Sequence, residues 1–152
     1  MEYAKAEAET IYKGMRQLTK RKNQKVKTMI EGKGHSAEVY TDPSLDQFNQ
    51  TKSVLFVSST TGQGDIPPNL EFFIADLRDA FPLMDGKPFA VVGMGDSSYG
   101  DTYCGAGRQI SELLTELQGK AVADMLEVDA IETLEPENEV VPWVEGLLNK
   151  LV

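Results

Sequence analysis

The chain is poor in the residues that most often catalyse reactions or ligate metals. One cysteine, Cys104, and one histidine, His35, stand in 152 residues. A single thiol forms no intrachain disulfide, which points to a reducing compartment, the cytoplasm. A metal centre needs several converging ligands, and no cluster here has that spacing. His35 lies in a Gly-rich turn and reads as a surface residue. No apolar run approaches the roughly 20 residues that span a bilayer, and Met1-Glu2-Tyr3-Ala4-Lys5 lacks the apolar core of a secretory signal. Internal repeats, low-complexity linkers and exposed heptad stripes are also missing, so the expectation is one domain over residues 1–152 and a monomer. Positive charge is scarce outside one segment. Residues 1–33 carry nine Lys/Arg against four Asp/Glu, whereas residues 34–152 carry six against twenty. An acidic body is a poor nucleic-acid binder, because phosphate contacts need cations. It suits either plain solubility or fast, salt-sensitive encounters with a basic protein surface.

The 41% hydrophobic residues fall into an alternating pattern. Residues 6–30 show helical spacing (Ile11, Met15, Leu18), broken near Gly32-Lys33-Gly34. Ala37 to Tyr40 reads as a short strand, closed by Thr41-Asp42-Pro43. Val54 to Ser58 and Phe89 to Met94 are continuous apolar runs, as in strands buried on both faces. Asn69 suits the cap of a helix to about Ala80, with an apolar stripe of Leu70, Phe73, Ile74, Leu77 and Phe81. Residues 106–117 read as a helix, Met125 to Val128 as a strand, and Val140 to Leu151 as a closing helix. Strand–helix alternation implies parallel strands joined by right-handed crossovers. The expected fold is therefore α/β, a doubly wound parallel sheet in three layers.

Two strands run straight into loops rich in glycine and small hydroxyls. The first loop is Ser59-Thr60-Thr61-Gly62-Gln63-Gly64-Asp65. The second is Gly95-Asp96-Ser97-Ser98-Tyr99, followed by Tyr103-Cys104-Gly105. In an open α/β sheet, ligands bind outside the carboxyl ends of the strands. Glycines let backbone approach a ligand closely, and the two tyrosines offer flat faces for stacking. Asp96 can turn its loop by accepting from nearby N–H groups or place charge beside a ligand. Cys104 has no histidine near in sequence to activate it, and reads as a small packing residue. Each loop alone also fits an ordinary strand-to-helix turn.

Taken together, these two loops resemble the isoalloxazine-binding loops of flavodoxins, nearest the short bacterial MioC-like group. The resemblance runs from about Gly34 to Val152 and includes Met125-Leu126-Glu127-Val128-Asp129-Ala130 and the stretch from Glu135-Pro136-Glu137 to Pro142-Trp143-Val144. It implies FMN as cofactor. Ser59, Thr60, Thr61 and Gly62 would line one side of the ring, and Gly95, Asp96, Ser97, Ser98 and Tyr99 the other, with Tyr99 stacked on its outer face. Tyr103 and Cys104 would close the second loop. The implied role is an electron carrier, not an enzyme, passing electrons from a reductase to an acceptor enzyme through their basic surfaces. The acidic surroundings are expected to push the flavin potential down.

The chain departs from the family before Gly34. A flavodoxin opens with a central strand and a Thr/Ser-Gly phosphate loop leading into its first helix, and Thr10-Ile11-Tyr12-Lys13-Gly14 is the nearest fragment. Three explanations stay open. Lys25-Val26-Lys27-Thr28-Met29-Ile30 can fill the sheet as an odd strand, its lysines serving the phosphate. The chain can be an interaction or adaptor protein that has lost FMN. Or the sequence carries a local reading-frame error: among the codons allowed for Lys13 to Gln24, a choice exists that, read one base out of register, can spell Gly-Asn-Ala-Ala-Ile-Asn-Glu-Ala-Glu-Glu, which resembles a phosphate loop and first helix.

Overall fold

A computed structural model describes residues 16–40, 42–58, 60, 64–129, 131–132 and 135–151. Its elements in chain order are α1 (Arg16–Gly32), α2 (Leu45–Gln50), β1 (Val54–Ser58), α3 (Pro68–Ala80), β2 (Pro88–Gly95), a 3-10 helix (Ser97–Thr102), α4 (Gly105–Glu116), β3 (Lys120–Ala121), β4 (Leu126–Asp129) and α5 (Glu137–Leu151). All described strand pairs are parallel. β1 lies beside β2 in the register Val54↔Phe89 to Ser58↔Gly93. The opposite edge of β2 pairs with β3 at its start and β4 at its end, so these two short strands form one interrupted edge strand.

The strands read as unbroken apolar runs because both faces are covered. Val54, Phe56, Phe89 and Val91 face α2, α3 and α4, meeting Phe48, Leu70, Phe73, Ile74, Leu77, Ile110 and Leu114. Leu55, Val57, Ala90, Val92 and Met94 face α1 and α5, meeting Val26, Ile30, Val140, Val144 and Leu148. Alternate residues thus serve opposite layers, the two-residue period of a pleated strand. This is the expected three-layer arrangement. The charge division has a structural counterpart, since Lys25 of α1 lies 3.7 Å from Glu137 and Lys33 lies 3.6 Å from Glu145. The described part of the basic segment, α1, rests on the acidic last helix.

Several sequence expectations need correction. Lys25–Ile30 does not form a strand; it is the second half of α1, with Val26 and Ile30 buried at helical spacing. The Lys25 amine is directed at Glu137 instead of a phosphate. The portion of the helical expectation at residues 6–15 lies outside the described residues, as does the fragment Thr10–Gly14. Ala37–Tyr40 is not a strand, although Ala37 is buried against the α1/α5 layer. α3 starts at Pro68, one residue before the expected cap Asn69, because Pro67 and Pro68 pre-set the helical entry. Phe81 leaves the apolar stripe: it is the C-cap, left-handed at φ 48° and turned to solvent. α5 begins three residues earlier than expected and carries Pro142 in its interior.

Candidate functional site

The register of the sheet brings three strand ends to one edge. Ser58 pairs with Gly93, and Gly95 pairs with Asp129. The first loop follows β1, the second follows β2, and a third turn follows β4. Of the sequence-nominated residues, Ser59, Thr61 and Gly62 lie outside the described residues. Thr60, Gly95, Asp96, Ser97, Ser98, Tyr99, Tyr103 and Cys104 all fall at this edge.

The second loop is built around carboxylates. Asp96 caps the 3-10 helix, its Oδ1 accepting from the Ser98 N–H at 2.8 Å and the Ser98 hydroxyl at 2.5 Å. Asp129, at the end of β4, accepts through Oδ1 from the Ser97 N–H at 3.3 Å and from the Ile131 N–H at 3.0 Å. The Ser97 hydroxyl, then the N–H groups of Ile131 and Ser97, hold the Asp129 carboxyl below the usual aspartate range. The N–H groups of Ser97 and Ser98 are therefore spent within the protein. They shape the loop, and its large aromatic side chain facing solvent is Tyr99, with 56% of its surface exposed. Gly100 takes φ 60° between the two halves of the 3-10 helix.

Cys104 joins this loop to α4. It is fully buried, left-handed at φ 55°, and its thiol donates to the Gly93 carbonyl at 3.4 Å. Burial pushes its thiol up to about 11. A thiol held protonated is a packing group and not a nucleophile. The Tyr103 hydroxyl is likewise pushed well above the phenol range, first by burial and then by Cys104 and the carboxylates of Asp129 and Glu127.

The first loop is held from outside by the opening of α4. Thr60 Oγ1 accepts from the Ala106 N–H at 3.3 Å, and Gln109 Nε2 donates to the Gly64 carbonyl at 2.6 Å. The backbones meet at Gly105, where a Cβ would stand 2.6 Å from Gly64 Cα. Gly95 is similarly constrained, its absent Cβ falling 2.7 Å from Cys104 N. One helix start thus fixes the distance between the two loops. Sequence reasoning missed Asp129 and Gln109. Gln109 acts only on a partner more than thirty residues away, and Asp129, besides its local bond to Ile131, reaches Ser97 across the sheet, which no local pattern announces.

The described part fits a flat aromatic ligand: an exposed tyrosine on a braced loop, beside a second strand-end loop tied to the same helix start. A phosphate anchor ahead of α1 would fall outside the described residues.

Comparison with known proteins agrees. The flavodoxin family model matches residues 11–143. Flavodoxin YqcA of Escherichia coli strain K12 is 38% identical over 124 residues, 80% of this chain and 83% of its own. Protein MioC of the same strain is 30% identical over 122 residues, 80% of this chain and 82% of its own. A cysteine-to-serine mutant of flavodoxin from Pseudomonas aeruginosa superposes with a TM-score of 0.85 at 33% identity, covering 99% of both chains. The chain belongs to the flavodoxin family, in its short MioC-like group.

Proposed function

We propose that the chain is an FMN-binding electron carrier that takes electrons from a reductase and delivers them to an acceptor enzyme in the cytoplasm, meeting both through basic surfaces on those partners. The observation that carries this reading is the pair of loops bound to one helix start, with Tyr99 presented at the strand edge. FMN supplies the redox chemistry when bound. The chain's own residues supply a slot. Ser59, Thr60, Thr61 and Gly62 are assigned to one side of the ring and Gly95–Tyr99 to the other, with Tyr103 and Cys104 packed behind the second loop. Asp96 and Asp129 place negative charge near that loop, which lowers the potential of a group that gains electrons there.

Titration of the purified chain with FMN tests the reading. Quenched flavin fluorescence with a perturbed flavin spectrum is the expected outcome. A folded chain that leaves FMN fluorescence unchanged excludes the carrier and leaves the adaptor alternative. Tyr99→Ala is expected to weaken binding by about 1–3 kcal/mol, the worth of one aromatic stacking platform. Unchanged affinity removes Tyr99 from the site.

A further inference from the structure

The residue least accounted for by the fold is Phe72. It is 83% exposed, more than any other large apolar side chain among the described residues. It lies on α3, whose buried stripe is Leu70, Phe73, Ile74 and Leu77, so Phe72 points directly away from the core. Its neighbours at helical spacing are Ala75, Asp76 and Asp79, all exposed. Scattered exposed apolar residues are ordinary on protein surfaces. Three features set this one apart.

The first is charge. From Thr60 to Gly105 the chain holds seven Asp/Glu and two Lys/Arg, and both cations are turned elsewhere. Lys87 donates to the Phe48 carbonyl at 2.8 Å and lies over the Phe48 ring. Arg78 reaches Gln109 on α4, on the other flank of α3. Among the described residues no cation sits within ion-pair distance of Glu71, Asp76 or Asp79. The second is position. α3 leads straight out of the first loop, and Phe72 lies four residues past Pro68, about 6 Å along the axis. The third is rigidity. The helix holds Phe72 in place, so fixing it on binding costs little entropy.

We propose that Phe72 is the apolar anchor of a docking surface for a cationic redox protein, flanked by Asp76 and Asp79, which steer and orient the approach. This rests on the carrier reading for the identity of the partner, and on α3 alone for the surface. The surrounding acids govern encounter, while the aromatic ring governs how long the complex lasts.

The test uses the full chain and cytochrome c, a lysine-rich haem protein, as probe. Affinity is measured calorimetrically at low ionic strength, and haem reduction by the FMN-loaded, reduced chain is followed separately. Phe72→Ala is expected to weaken cytochrome c binding about fivefold or more, as truncation of an interface anchor does. FMN affinity should not change. Phe81→Ala, at the far end of α3, should bind cytochrome c like the parent. The loss from Asp76→Asn combined with Asp79→Asn should fade at about 0.5 M salt, where screening shortens charge interactions to a few ångströms. The loss from Phe72→Ala should persist. Equal affinity of Phe72→Ala and the parent overturns the proposal, as does an equal loss in Phe81→Ala. A parent dimer that Phe72→Ala dissociates also overturns it, because a second copy then covers the face. Intact cytochrome c binding with no FMN uptake would instead overturn the carrier reading and leave the surface standing.

Discussion

The two ring loops are fastened by opposite means. The described part of the first is gripped by α4, through Thr60, Gly64 and Gln109. The second is braced by carboxylates, Asp96 from within and Asp129 from the neighbouring strand end. Backbone gripped by neutral hydrogen bonds is indifferent to mild acid. The Asp129 bonds to the Ser97 and Ile131 N–H groups weaken when that carboxyl protonates. The described grips therefore differ in their response to acid, and both loops meet the start of α4.

The most damaging single change is at that pivot. In Gly105→Ala the new Cβ would sit 2.6 Å from Gly64 Cα and 3.0 Å from Gly64 O, against backbone that cannot rotate aside. Overpacking of this kind costs about 1–3 kcal/mol. Urea denaturation should show that loss, and FMN affinity should fall with it because both walls are displaced. Retained stability would mean the loops are not pressed together at this point.

Breaking the carboxylate brace should separate the two walls. Asp129 has a depressed folded-state pKa, so its contribution to stability is fully present above the ordinary aspartate pKa of about 3.9. It drains away as pH falls through the lower folded value. The parent should therefore lose more melting temperature between pH 6 and pH 3 than Asp129→Asn does, while Asp129→Asn starts lower at pH 6. Parallel curves would show that the brace carries no charge-dependent stability.

Which parts were legible in sequence follows from where their partners lie. β1 and β2 announce themselves because burial on both faces leaves nothing but apolar residues at Val54–Val57 and Phe89–Val92. The loops announce themselves by glycine and hydroxyl density, and Asp96 caps its own near neighbour Ser98. The short helix α2 also carried a local signal, since Ser44 and Gln47 form a capping box that matches the Ser-x-x-Gln pattern. Gln109 carried none, and the grip of Asp129 on Ser97 carried none beyond its local bond to Ile131, because these roles exist only once helix docking and strand register place them. The two-residue strand β3 is defined entirely by its neighbour β2. Lys25–Ile30 alternates like a strand only over its first three residues, and the helical spacing of Val26 and Ile30, with their packing against α5, decides against it.

The neutral grip on the first loop is expected to be worth less than the pivot. Gln109→Leu keeps the side-chain bulk and removes the 2.6 Å donor to Gly64 O. One such bond contributes about 1 kcal/mol. The loss should be the same at pH 6 and pH 4, measured by urea denaturation. A loss that grows in acid would place the first loop under electrostatic control as well and erase the contrast between the walls.

Cys104 reports on which wall has moved, with little effect of its own. Its thiol is buried and pushed up to about 11, whereas an unfolded thiol titrates near 8.5. At pH 8 the folded chain should resist iodoacetamide far longer than the urea-unfolded chain. The second loop covers Cys104, through Tyr103 and Gly95. Asp129→Ala should therefore speed alkylation under native conditions, while Gln109→Leu should leave it slow. Equal acceleration in both variants would mean that the loops open as one unit, with α4 carrying the motion of either wall to the other.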